Sequence, residues 1–239
     1  MAQLAKPNPN NSSADAMMDP PCDVVIFGTG EMAEVARFYL QWEGTHNIVA
    51  HTLNREYLNE TSKDGLPVVA WEDLNTLYPP DQVKLFCPVS YKEVNLHRKR
   101  LFLEGLDKGY DFIRFIHPYA RYYGTPVGRN TFIFEDNVIQ PHTVIGDNCI
   151  LWSGNHIGHH TTIRDHCFIA SHVVVSGAVD IGERCFLGVN STIRDNISLG
   201  EGCVVGAGAL VTRALDDLTI IVGAKSRIMP KTSDQLDGI

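Results

Sequence analysis

The sequence predicts a two-part chain: an α/β region built on a small parallel sheet, then an all-β solenoid, a parallel β-helix with three faces. Three observations carry this. Val127, Ile133, Ile139, Ile145, Leu151, Ile157, Ile163, Ile169, Val175, Ile181, Leu187, Ile193, Leu199, Val205 and Val211 stand six residues apart without an insertion. If about one residue in four is Val, Ile or Leu, chance gives such a run well under one time in a million. Cys149, Cys167, Cys185 and Cys203 are spaced by eighteen, or three hexapeptides. Three faces therefore complete one coil, and residues eighteen apart stack. Ahead of the repeat, apolar runs alternate with helical stripes, the pattern of a parallel sheet.

The elements follow in order. Residues 1–21 carry Lys6-Pro7-Asn8-Pro9-Asn10-Asn11-Ser12-Ser13 and end in Asp19-Pro20-Pro21. Nothing there has the apolar core of a signal peptide, so the segment reads as a disordered, mobile tail on a cytoplasmic protein. Val24-Val25-Ile26-Phe27 is a buried parallel strand by composition. The turn Gly28-Thr29-Gly30-Glu31-Met32-Ala33 follows, then a stripe of Met32, Val35, Ala36, Tyr39 and Leu40 at helical spacing. Further strands are expected at Ile48–Thr52, Val83–Phe86 and Ile113–Ile116. A helix is expected over 91–108, stopped by Gly109. His117-Pro118 marks the junction, because the residue before proline is pushed out of helical backbone. The regions are then 22–117 and 118–239.

In the solenoid each aliphatic points inward, and so does the residue two before the next one (Thr131, Thr143, Thr161, Ser191, Ala209). The four cysteines form a ladder along an interior edge, with rungs about 4.8 Å apart. They sit one per coil and contain no C-x-x-C pair, so they read as buried thiols acting as small hydrophobes. Disulfides are not expected in a cytoplasmic chain.

Composition excludes several classes. Hydrophobic residues make up 44% of the 239 and charged residues 20%, which supports a folded core. No apolar run approaches the roughly 18 residues of a membrane span. The net charge of −8 gives no general attraction to nucleic acid or anionic membrane.

The glycine turn offers backbone N–H groups at a helix N-terminus, as phosphate sites do. As a dinucleotide fingerprint it is incomplete. The strand after it ends in His51-Thr52-Leu53-Asn54, where an acidic residue would hold a ribose. By itself the turn also fits a tight bend that binds nothing. Half of the ten histidines fall within seventeen residues: His156, His159, His160, His166 and His172. His160, His166 and His172 share one hexapeptide slot on successive faces and do not converge. His142 and His160 are eighteen apart and should stack.

One face repeats almost in words: Ile145-Gly146-Asp147-Asn148-Cys149, Ile163-Arg164-Asp165-His166-Cys167, Ile181-Gly182-Glu183-Arg184-Cys185, Leu199-Gly200-Glu201-Gly202-Cys203. Over about residues 115–230 this resembles the hexapeptide-repeat acyltransferases. With the N-terminal half, the chain resembles the sialic-acid O-acetyltransferase-like and bacillosamine-type sugar N-acetyltransferases. The resemblance implies a Rossmann-like nucleotide-sugar-binding domain joined to a left-handed parallel β-helix. It also implies a homotrimer that moves an acetyl group from acetyl-CoA to a nucleotide-linked amino sugar.

The same resemblance assigns residues. Ile157-Gly158-His159-His160 occupies the place of the family's general base, so His159 is the candidate base. His160 stands where an acidic partner usually follows, and His156 is an alternative base. Gly28, Thr29, Gly30 and Glu31 would meet the diphosphate of the sugar nucleotide. Gly188, Asn190, Gly206 and Gly208 match the coils along which the pantetheine arm lies. Lys225 and Arg227 of the terminal segment would meet CoA phosphates, although a solvated basic pair fits them as well. No metal is expected, because the His spacing of the β-helical γ-class carbonic anhydrases is missing. O-acetylation of a sugar without a nucleotide, and a non-enzymatic β-helical scaffold, are the competing readings.

Overall fold

The computed structural model describes residues 19–230 and 232–235. Most of the expected tail, residues 1–18, lies outside the described residues. Asp19 is pinned: its carboxylate accepts the Arg114 backbone N–H at 2.8 Å and lies 3.8 Å from Lys84 Nζ.

The α/β region contains β1 (Asp23–Phe27), α1 (Glu31–Glu43), β2 (Asn47–Leu53), β3 (Ser62–Lys63), β4 (Leu66–Ala70), α2 (Leu74–Leu77), β5 (Lys84–Phe86) and α3 (Leu96–Asp107). The sheet order is β3-β4-β2-β1-β5. All pairs are parallel except the β3–β4 edge hairpin, which had no clear signal in the sequence. β1 lies between β2 and β5, and Val24, Val25 and Ile26 are wholly buried, as a continuous apolar run requires. α1 ends at Gly44, whose φ of +76° lets its N–H close onto Leu40 O.

Two expectations need correction. The helix begins at Leu96, not Tyr91, because Glu93, Val94 and Asn95 all have positive φ. That contorted approach serves docking: Tyr91 packs on Phe168 and Phe186, and Asn95 Nδ2 donates to the carbonyls of Arg184 and Cys185. The strand expected at Ile113–Ile116 shortens to Phe115–Ile116. Phe115–Ile116 pairs with Phe132–Ile133 as the first rung of the solenoid, while just before it Phe112 bridges Leu85 of β5 and the Ile113 N–H donates to Leu85 O, so the segment leads from the α/β sheet into the solenoid.

The solenoid has three parallel sheets of two-residue rungs. Face 1 runs from Phe115–Ile116 through Phe132–Ile133, Ile150–Leu151, Phe168–Ile169, Phe186–Leu187 and Val204–Val205 to Ile220–Ile221. Face 2 holds Arg121–Tyr122, Val138–Ile139, His156–Ile157, Val174–Val175, Thr192–Ile193 and Leu210–Val211. Face 3 holds Val144–Ile145, Thr162–Ile163, Asp180–Ile181 and Ser198–Leu199. Between the first and last rungs, stacked residues are eighteen apart, as in Ile150↔Phe168 and His156↔Val174. The aliphatic ladder and the four cysteines fill one core.

The corners explain the histidine slot. Positive φ recurs every six residues, at Asn130, Asp136, His142, Asn148, Gly154, His160, His166, His172, Ala178, Arg184, Asn190, Asn196, Gly202 and Gly208. Asn, Asp and His tolerate left-handed backbone better than most side chains. His160, His166 and His172 are therefore turn residues first.

The α/β region docks on face 1. Phe132, Phe134, Ile150, Phe168 and Ala170 point outward from the solenoid, yet they are buried in one cluster with Val24, Ile26, Ala36, Leu40, Phe86 and Ile113. A polar lock flanks that cluster. Arg98 of α3 is fully buried, and its Nη2 donates to the carbonyls of His166 and Cys167 and to Asn95 Oδ1. Asn148 Nδ2 donates to Arg98 O and to His166 Nδ1. Burial, then the Arg98 guanidinium, pushes His166 down to about 3, so it is a neutral structural imidazole.

Candidate active site

His159 and His160 occupy the corner between faces 2 and 3, just after the rung His156–Ile157. Their Nδ1 atoms are 3.0 Å apart. One nitrogen of that pair carries the proton and the other accepts it. If His159 keeps its Nδ1–H, then His160 accepts and His159 Nε2 presents a free lone pair. His160 also stacks on His142, with ring centroids 4.7 Å apart. The His159 backbone N–H donates to Gln140 Oε1 at 2.9 Å, fixing the corner.

One coil further on lies Gly177. A Cβ on Gly177 would approach His159 Cε1 to 2.7 Å and Nε2 to 2.8 Å. The imidazole thus rests against a backbone left bare by glycine. The Gly177 N–H has no acceptor among the described residues. An imidazole able to accept a proton and an unused N–H able to donate a hydrogen bond thus lie on adjacent coils. Sequence reading missed Gly177 and Gln140, although the eighteen-residue ruler points from His159 to Gly177.

The remaining histidines divide by environment. His156 is half-exposed on face 2, and His172 lies over Gly154 as His159 does over Gly177. His117 stacks on Trp42 at 5.2 Å and is buried at the junction.

The turn Gly28-Thr29-Gly30-Glu31 joins β1 to α1. It opens onto a cavity of about 410 Å³ walled by Phe27, Gly28, Gly30, Glu31 and, beyond β5, Pro88–Ser90. Gly28 has a φ of +108°, a conformation that needs glycine. The N–H groups of Thr29, Gly30, Glu31 and Met32 have no protein acceptor among the described residues. Beside it, Glu31 also lines a cavity of about 520 Å³ floored by Phe134 and Trp152, which stack at 4.3 Å. There Glu135 accepts from Tyr39 Oη at 2.8 Å and from Ser153 Oγ at 2.7 Å. Burial opposes the Glu135 charge, but Ser153, a backbone N–H and Tyr39 hold the carboxyl below its ordinary range. Burial and the bond to Glu135 raise Tyr39 to about 12.

Gly188, Asn190, Gly206 and Gly208 line the corner between faces 1 and 2 on the lower coils. A Cβ at Gly188 would meet Ala207 N at 2.6 Å, so coil stacking itself demands that glycine. Gly208 has positive φ and open space around its α-carbon. Lys225 and Arg227 follow the last rung and are exposed. Within one chain these groups do not converge. The His159 corner and the Gly188–Gly208 corner border face 2 on opposite sides, and the glycine turn belongs to the region docked on face 1.

Comparison with known proteins bears on this arrangement. Residues 125–159 and 142–177 match the model of the bacterial transferase hexapeptide (six repeats), and residues 178–213 match that of the hexapeptide repeat of succinyl-transferase. No protein of curated function shows significant sequence similarity. Among solved structures, the chain is similar to perosamine N-acetyltransferase from Caulobacter crescentus, a histidine-to-asparagine variant in complex with CoA and GDP-perosamine. Identity is 26%, covering 87% of this chain and 97% of that one, with a TM-score of 0.76. The acetyltransferase domain of PglB from Neisseria gonorrhoeae is similar in fold, at 21% identity, 84% and 96% coverage and a TM-score of 0.74. WeeI from Acinetobacter baumannii shares the fold at 17% identity, 87% and 100% coverage and a TM-score of 0.68. The architecture is that of the left-handed parallel β-helix with a small α/β region ahead of it.

Proposed function

We propose that this hexapeptide-repeat sugar acetyltransferase transfers an acetyl group from acetyl-CoA to the amine of a nucleotide-linked amino sugar, with His159 as general base. The observation that carries the role of His159 is its imidazole lying against the bare α-carbon of Gly177, whose N–H is unused, with Nδ1 against His160. The neutral amine attacks the thioester carbonyl and an N–C bond forms. The amine proton passes to His159 Nε2, and the carbonyl oxygen gains charge that the Gly177 N–H stabilises. Collapse breaks the C–S bond, and the proton is returned to the CoA thiolate. No covalent enzyme intermediate is needed; Cys149 and Cys167 are fully buried.

His160 orients His159 through the Nδ1 contact but brings no negative charge to the imidazolium, unlike a carboxylate. We assign the sugar-nucleotide diphosphate to the free N–H groups of Thr29, Gly30 and Glu31 at the Gly28 turn. The CoA arm is assigned to the Gly188–Asn190 and Gly206–Gly208 corner, with Lys225 and Arg227 toward its phosphates. Because these groups border different faces of one chain, a complete site takes residues from neighbouring copies, and a homotrimer supplies them. We place the enzyme in the cytoplasm; among the described residues no helix is long and apolar enough to cross a membrane.

The test is turnover of acetyl-CoA with a panel of UDP-, GDP- and dTDP-linked amino sugars, following CoA thiol release and the mass of the product. One nucleotide sugar should become N-acetylated. Gly30→Glu should raise its KM at least about tenfold by placing a carboxylate at the diphosphate. Absence of any CoA-dependent product overturns the enzyme, and an unchanged KM in Gly30→Glu overturns the nucleotide site.

A further inference from the structure

We infer that His51, wholly buried behind the glycine turn, is a positioning residue that orients the Gly28–Thr29 peptide for the diphosphate. The inference rests on the assignment of that turn to the sugar nucleotide. His51 lies on β2, paired with Ile26 of β1, and is 1% exposed. Its Nδ1 lies 2.8 Å from Gly28 O. A carbonyl can only accept, so Nδ1 carries the proton and donates. From the same strand, Thr52 O accepts the Gly28 N–H at 2.9 Å. β2 thus holds Gly28 at both its N–H and its C=O.

The consequence lies in the next N–H. A trans peptide is planar, with its C=O and N–H on opposite edges. With Gly28 O drawn toward the His51 ring, the Thr29 N–H points away from that ring. Gly28 and Gly30, on either side of Thr29, line the 410 Å³ cavity together with Pro88–Ser90. The glycine at 28, with φ +108°, lacks the Cβ that would otherwise resist peptide rotation. A rotated peptide would turn Gly28 O toward the ligand and set a carbonyl dipole against phosphate oxygens. The His51 hydrogen bond opposes that rotation.

The residue type also fits. A carboxylate at 51 would repel both Gly28 O and a diphosphate, so a histidine rather than an acid at this position suits this task. Burial pushes His51 below its ordinary pKa, and the hydrogen bond to Gly28 only partly offsets it, so the ring is a neutral donor. Its Nε2 is buried without a partner, so a second proton would have no acceptor there. Arg37, Lys63 and Asp64 are the charged groups around it.

The test is calorimetric binding to the full-length protein, with UDP, GDP and dTDP as probes and CoA as the control. His51→Leu should weaken the nucleoside diphosphate that the native protein binds by roughly tenfold, the effect of one lost hydrogen bond. CoA affinity should stay within twofold of the native value. His51→Asn, which returns an N–H donor near the Nδ1 position, should restore most of the loss. In turnover, His51→Leu should raise KM for the sugar nucleotide and leave kcat unchanged. If His51→Leu does not fold, His51→Phe retains a ring without the donor. Unchanged nucleotide affinity, or an equal loss of CoA affinity, overturns the inference. If Gly30→Glu abolishes nucleotide binding while His51→Leu does not, only the His51 role falls. If no nucleoside diphosphate binds the native protein, the nucleotide site falls and His51 with it.

Discussion

Gly177→Ala isolates the placement of the proposed base. The added methyl leaves the Gly177 N–H in place and touches neither proposed substrate site at the glycine-rich corners. Built on the backbone, it would lie 2.7 Å from His159 Cε1, 2.8 Å from Nε2 and 3.2 Å from Nδ1. Ordinary van der Waals contact begins near 3.4 Å, so the ring must retreat by about 0.7 Å or change rotamer. A misplacement of about 1 Å in a reacting group costs on the order of 10²-fold in rate. The expected result is therefore a fall in kcat of roughly 10- to 100-fold. KM for acetyl-CoA should change little. The His159 ring is exposed, so the melting temperature should fall by only a few degrees. Steady-state CoA release and a thermal melt measure both. A kcat within twofold of the native value would refute the claim that this ring and this backbone act together.

Other predictions concern the frame. Arg98→Ala should destabilise the protein by about 3 kcal/mol or more in urea unfolding, since it strips the carbonyls of His166 and Cys167 of a buried charged donor. Acid should be destabilising early. His166 has a folded pKa of about 3 against an unfolded value near 6.5, so its contribution is intact above pH 6.5 and drains as pH falls toward 3. The slope is at most about 1.4 kcal/mol per pH unit for this group, and His46, His51 and His117, lowered chiefly by burial, add to it. Flat stability from pH 7 to pH 5 would contradict this. Cys87, Cys149, Cys167, Cys185 and Cys203 are buried, so a thiol reagent should label them only after unfolding, while the half-buried Cys22 reacts first.

The solenoid was legible because one short-range rule, an aliphatic every sixth residue, is enforced by stacking; from Val127 to Val211 those side chains are all buried. Two things escaped. Outward phenylalanines on face 1 read as exposed in a repeat considered alone, yet Phe132 and Phe168 are the floor on which the α/β region docks. Docking is a tertiary fact that also overrode helical pattern at Glu93–Asn95. The histidine cluster misled in part, since a corner that demands left-handed backbone recruits histidine without any chemistry. His159 differs because it precedes the corner residue and rests against a glycine of the next coil. Gly177 carries no local signal of its own; only the stacking distance identifies it.

The most direct measurement is single-site replacement of His159 by Asn, assayed with acetyl-CoA and the nucleotide-linked amino sugar that the native enzyme turns over. The account predicts a loss in kcat of about 10²- to 10⁴-fold, the range for a general base. CoA affinity and the oligomeric state should match those of the native protein. A kcat within about threefold of native, with folding intact, would contradict His159 as the base.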